Sequence, residues 1–185
     1  MLLGAVSANN APSDRIIRTI EQRDGGPVVP TPLATHGYLI RRLPGYYQGV
    51  EGCWPRARVF DPHEKDDQLT RAYVIPCTEA QEDAVWRAAL NAVGTPYDLF
   101  GLIVCGWFIV TKQEDRWYTS RHASAFCTEM TTTVCRAGMI PACVTNGLIM
   151  PADNVDPIEW ERWLMQYGYA DDPAAAAATI QRRAA

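Results

Sequence analysis

The stretch His36-Gly37-Tyr38-Leu39-Ile40-Arg41-Arg42-Leu43-Pro44-Gly45-Tyr46-Tyr47-Gln48-Gly49-Val50-Glu51 decides the fold class. Its first part, His36–Ile40, is short, apolar and β-prone, and stops at the polar pair Arg41-Arg42. Pro44-Gly45 marks a turn, and Tyr46–Glu51 reads as a second strand. Moving outward, Ala57–Phe60 follows beyond Pro55, and Thr70–Ile75 is closed by Pro76. Short strands punctuated by Gly and Pro predict an antiparallel sheet or small barrel.

The texture changes at Thr78. Thr78-Glu79-Ala80-Gln81 has the pattern of a capping box, in which the Thr hydroxyl and the Gln side chain satisfy helix-end N–H groups. Ala84, Val85, Ala88, Ala89 and Ala92 give that helix an apolar face, and Gly94 stops it. Further helices are expected over Tyr97–Val110, Cys127–Ala137 and Asp156–Tyr167. The run Leu99–Val110 is shorter than the about 20 residues a membrane span needs, so it is expected to be a buried helix. Before the strands, residues up to about Pro32 read as irregular, with a short helix from Ser13-Asp14 to Gln22. Strands first and helices second predict an α+β domain rather than alternating βαβ units. One domain is expected over residues 1–170, followed by an Ala-rich tail over 171–185.

Hydrophobic content of 48% in 185 residues supports a substantial core. The net charge of −4 and the scattered arginines argue against direct binding of DNA or RNA. The apolar start Met1–Val6 lacks the charged n-region and the length of a secretory signal, so a soluble chain is expected. Six cysteines occur without any CxxC pair. His122, Cys127, Cys135 and Cys143 can be drawn as a zinc set, but the tight ligand spacing of a closed site is missing. Most thiols are expected to be reduced and packed as small apolar residues, with no metal or cofactor implied.

Chemistry has few carriers. Cys127 sits where a helix is expected to begin, and helix-start N–H groups and the helix dipole stabilise a thiolate. By itself, that setting fits a core cysteine better than a nucleophile. His63 lies in the charged turn Asp61–Asp67 and His122 in a loop five residues before Cys127. His36 opens a β segment from which its ring can project toward a facing helix, although a lone strand histidine is more often structural. Glu51 is suited either to a wet sheet edge or to holding an imidazole in one tautomer. Tyr97, in the turn Gly94-Thr95-Pro96-Tyr97-Asp98, is placed to pack its ring or to donate to an oxyanion.

Taken in order, these pieces resemble the permuted NlpC/P60 enzymes of the papain-like superfamily. The resemblance runs through Ser13-Asp14-Arg15-Ile16-Ile17-Arg18, Thr35-His36-Gly37-Tyr38-Leu39-Ile40 and Gly49-Val50-Glu51-Gly52. It continues through Gly94-Thr95-Pro96-Tyr97-Asp98, Phe126-Cys127-Thr128-Glu129-Met130 and Ile149-Met150-Pro151-Ala152-Asp153-Asn154. It implies a circularly permuted papain-like fold and a thiol hydrolase that cleaves an amide or ester bond. Cys127 would be the nucleophile, His36 the base, Glu51 the residue that orients His36, and Tyr97 an oxyanion-side candidate. Glu129 is read as structural. The implied substrates are peptides, other amides or acyl groups, with cell-wall peptidoglycan and lipids among them. A place in a phage particle or other multiprotein assembly is the non-catalytic alternative, and the setting implied is virion-associated or cytoplasmic. The chain departs from the family pattern at Gly37-Tyr38, which puts a bulky ring beside the base, and in the aromatic, charged segment 106–124 before the cysteine.

Overall fold

A computed structural model describes residues 1–8, 34–65, 68–100, 103, 111, 127–138, 157–167 and 169–170. The strands are β1 (Leu2–Ala8), β2 (His36–Leu43), β3 (Tyr46–Glu51), β4 (Arg58–Phe60), β5 (Leu69–Val74) and β6 (Tyr169–Ala170). A 3-10 turn, Pro62–Lys65, follows β4. The helices are α1 (Glu79–Ala92), α2 (Cys127–Ala137) and α3 (Pro157–Tyr167). The strands form one antiparallel sheet in the order β4-β3-β2-β1-β5-β6. The architecture is α+β. Of the two expected forms, the described strands make an open sheet with β4 and β6 at its edges.

The clearest correction concerns β1. The opening Leu2-Leu3-Gly4-Ala5-Val6-Ser7-Ala8 was expected to be irregular, yet it is a central strand between β2 and β5, buried along its whole length. A strand covered on both faces carries no alternation of polar and apolar residues, so its period-2 signature is missing. The expected helix over 13–22, the Ile149–Asn154 segment, the tail, His122, Cys105 and Cys143 lie outside the described residues.

Register sorts the side chains into two faces. Leu2, Val6, Leu39, Val50 and Tyr73 join Val85, Trp86, Met130, Val134, Trp160 and Leu164 in the main core under the helices. On the opposite face, Leu3, Ala5, Tyr38, Ile40 and Phe60 form a second cluster. Gly49, opposite Phe60 in the ladder, leaves room for its ring: a Cβ there would lie 2.3 Å from Phe60 Cε1.

The helix at Thr78 forms as its sequence predicts. Gln81 N–H donates to Thr78 Oγ1 at 3.3 Å, and Thr78 N–H donates to Gln81 Oε1 at 2.9 Å. The helix ends at Ala92, and Gly94 takes φ +89°, a left-handed conformation that other residues rarely adopt. The expected buried helix over Leu99–Val110 is corrected at its described positions. Leu99, Phe100 and Ile103 are exposed, Phe100 by 69%. Apolar composition showed that this run is short of a membrane span, but not which side of it faces water. Among the described residues, no helix is long and apolar enough to cross a membrane.

Candidate active site

The site is assembled where β2 begins. His36 is the first residue of β2, and Thr35 N–H donates to Ser7 O at 2.9 Å, extending the β1–β2 ladder up to that point. Glu51 ends β3 and pairs with Tyr38 in register, so Glu51 is a diagonal neighbour of His36 on one face. The two side chains meet, with His36 Nε2 2.7 Å from Glu51 Oε2. This pairing leaves Nδ1 as the ring nitrogen for a second partner.

That partner is Cys127, the first residue of α2, which hydrogen-bonds with His36. The backbone N–H groups of Gly37 and Thr128 also stabilise the sulfur. Helix α2 packs directly on β2, and Gly37 permits the approach. A Cβ on Gly37 would stand 2.9 Å from Thr128 Cγ2 and 3.0 Å from Trp160 Cδ1. Any side chain at position 37 would therefore push the start of α2 or Trp160 away from β2.

Burial makes the electrostatics strong. Cys127 is 3% exposed and Glu51 is fully buried. Burial alone would raise the Cys127 thiol, but the positive charge and hydrogen bond of His36, with the two backbone N–H groups, lower it below the ordinary thiol range. Burial opposes a charge on His36, but the Cys127 thiolate and then Glu51 push it up to about 9. Glu51 is drawn down to about 2, because His36 and Lys65 outweigh the cost of burying its charge. The lowered thiol and the raised imidazole together favour a thiolate–imidazolium pair, whose protons belong to the pair rather than to either residue.

The structure brings Cys127, His36 and Glu51 into one chain of contacts. The Tyr97 N–H donates to Pro55 O at 3.0 Å, beside the bridge between Arg56 and Pro96. It is thereby tied to the loop that leaves β3 shortly after Glu51. Glu129 is buried in the first turn of α2. Tyr38, the bulky neighbour of His36, lies edge-on to Phe60 at 5.3 Å and tilted to the His36 ring at 5.8 Å, so it forms one wall of the candidate site. His63 sits in the 3-10 turn, where its backbone N–H donates to Asp61 Oδ1 at 3.0 Å.

Three further contributors were not singled out from the sequence. Arg58 bonds Glu51 Oε1 through Nε and Nη2, both at 2.9 Å. Lys65 Nζ lies 3.0 Å from Glu51 Oε2. The N–H of Gly37 supports the sulfur. For Arg58 a signal existed: it alternates with Phe60 along β4 and falls opposite Glu51. Lys65 gave none, since it stands in a charged turn that reads as a solvated surface.

Among the described residues, no cluster of His, Cys, Asp or Glu is arranged to hold a metal ion, and Cys53, Cys77, Cys127 and Cys135 are free thiols. Cys127 and Cys135 are buried, as expected of core cysteines, whereas Cys53 and Cys77 are only half-buried. Compared with known protein families and with curated proteins, the chain matches no family model and no curated relative.

Proposed function

We propose that the protein is a thiol hydrolase that cleaves an amide or ester bond through Cys127, His36 and Glu51. The carrying observation is the helix-start thiol bonded to an imidazole whose other nitrogen is held by a buried carboxylate. Cys127 thiolate attacks the carbonyl carbon and forms a tetrahedral oxyanion. His36 then gives its proton to the leaving group. In the second half it takes a proton from water, whose hydroxide adds to the acyl-enzyme; collapse expels the Cys127 thiolate, releases the acid and restores the thiolate–imidazolium pair. Glu51 fixes the tautomer and plane of His36 throughout. Tyr97 is the proposed oxyanion-side residue. The chain order of His36, Glu51 and Cys127 also supports a circularly permuted papain-like fold of the NlpC/P60 kind, with cell-wall peptides as the first substrate class to test.

A structural role in a larger assembly is the second reading. The exposed side chains of Trp54, Phe100 and Ile103 are the apolar surface such a role would use. Incubation with purified peptidoglycan, and separately with phospholipid vesicles, tests the first reading against a Cys127→Ala control. The expected result is turnover by the native protein alone, with iodoacetamide labelling Cys127 faster than Cys53 and Cys77. No turnover, together with labelling of Cys127 no faster than those two, would overturn it.

A further inference from the structure

Glu51 is more heavily occupied than a residue that only orients a histidine needs to be. Its Oε1 accepts both bonds from Arg58, and its Oε2 is shared between His36 Nε2 at 2.7 Å and Lys65 Nζ at 3.0 Å. Arg58 has a carboxylate of its own, with Nη1 3.0 Å from Glu64 Oε2. Lys65 is only 14% exposed, and its ammonium lies 5.5 Å from the centre of the Phe60 ring and 6.0 Å from that of Tyr38. Two aromatic faces and one carboxylate oxygen therefore fix a cation on the very atom that holds the base.

We infer that Lys65 is a positioning residue that sets the basicity of His36 by competing for Glu51 Oε2. The inference rests on the hydrolase reading and deepens it. A carboxylate that faced the imidazolium alone would hold the proton on His36 tightly. Hydrolysis needs that proton to leave for the departing group, and proton transfer is most effective when the donor is not too weak an acid. Lys65 offsets part of the Glu51 charge as His36 senses it, while leaving the 2.7 Å bond that orients the ring. The other charged or titratable groups facing this cluster are Cys127 from α2, Tyr38 from β2, Arg58 from β4 and Glu64 from the 3-10 turn. Cys53, from the loop after β3, adds a thiol that burial and the Glu51 charge push up. None of these places a second cation on Oε2.

The test is an NMR titration of the His36 ring, assigned with His63→Gln and His122→Gln variants, in the native protein and in Lys65→Met and Lys65→Arg. Met keeps the apolar stem between the rings and removes the charge; Arg keeps the charge. The expected result is an upward shift of the His36 midpoint by about one pH unit in Lys65→Met. In Lys65→Arg the midpoint stays near its native value, and the alkaline limb of turnover moves in parallel. A midpoint that stays put or falls in folded Lys65→Met overturns the inference. Lys65→Gln is read by the same criterion should the Met variant fail to fold. The two levels fail differently. A native midpoint near 9 that Lys65→Met leaves unmoved sinks only the role of Lys65. A native midpoint near the ordinary value of about 6.5, with sluggish Cys127 labelling, sinks the hydrolase reading as well.

Discussion

Two fully buried carboxylates stand on opposite faces of the same sheet, and their surroundings set them to different work. Glu161 of α3 accepts from Arg71 at 2.5 Å and 3.0 Å and from the Tyr73 hydroxyl at 3.2 Å, tying the helix to β5. Burial and then the Glu161 charge push Tyr73 up to about 12, so its hydroxyl is not a proton donor to chemistry near neutrality. With no imidazole or thiol among these contacts, the cluster is a fastener. Glu51 is buried to the same degree, but one of its partners is an imidazole that also meets a thiol. Burial of a carboxylate thus signals only that its charge is answered. Chemistry requires that one of the groups answering it can change protonation.

The comparison is broken most directly at Glu51. Glu51→Gln is expected to lower turnover by about a thousandfold or more, because the amide no longer stabilises the imidazolium or enforces its tautomer. Steady-state kinetics on a cleaved substrate, with circular dichroism to confirm the fold, measure this. Turnover close to native would reduce Glu51 to a second fastener. Glu161→Ala should behave in the opposite way. It strands Arg71 and is expected to cost about 3–5 kcal/mol in denaturant unfolding, while the rate of Cys127 alkylation under native conditions stays unchanged. A large fall in alkylation would mean that the two clusters are coupled through the sheet.

Gly37→Ala sharpens the contrast at smaller scale. The added methyl meets Thr128 and Trp160 and is expected to cost about 1–3 kcal/mol, lowering thiol reactivity more than its loss of stability explains. Alkylation rates set beside melting curves separate these two effects. The smallest effects are those of pH. Turnover is expected to rise below the ordinary thiol range as the Cys127–His36 pair forms, and to fall near pH 9 as His36 loses its proton. Stability follows the same groups with opposite signs. The raised pKa of His36 gives a contribution that is complete below about 6.5 and lost as pH rises through about 9. The lowered pKa of Glu51 gives one that is complete above about 4.5 and lost as pH falls toward about 2. Melting temperatures across that range check both signs.

The two clusters also differ in how far the sequence disclosed them. His36, Glu51 and Cys127 were singled out by the order of their motifs along the chain, since the local setting of each, a strand start, a strand end and a helix start, favoured a structural reading on its own. The strand–turn–strand reading of 36–51 and the capping box at Thr78 were legible from local composition. Nothing local links Arg71 to Glu161 or Lys65 to Glu51, since those pairs exist only once strands are registered and turns have folded back. Strand β1 escaped detection because burial on both faces removes the alternation that identifies a strand. The exposure of Leu99, Phe100 and Ile103 escaped because apolar composition does not say which neighbours cover a residue.

The meander β2–β3–β4 with its 3-10 turn carries His36, Glu51, Arg58 and Lys65 on one uninterrupted piece of chain, whereas Cys127 arrives on a helix far along the sequence. The imidazole–carboxylate cluster and the thiol are therefore held by distant parts of the chain that meet at one seam, beside Gly37, where an added Cβ would stand 2.9 Å from Thr128 Cγ2.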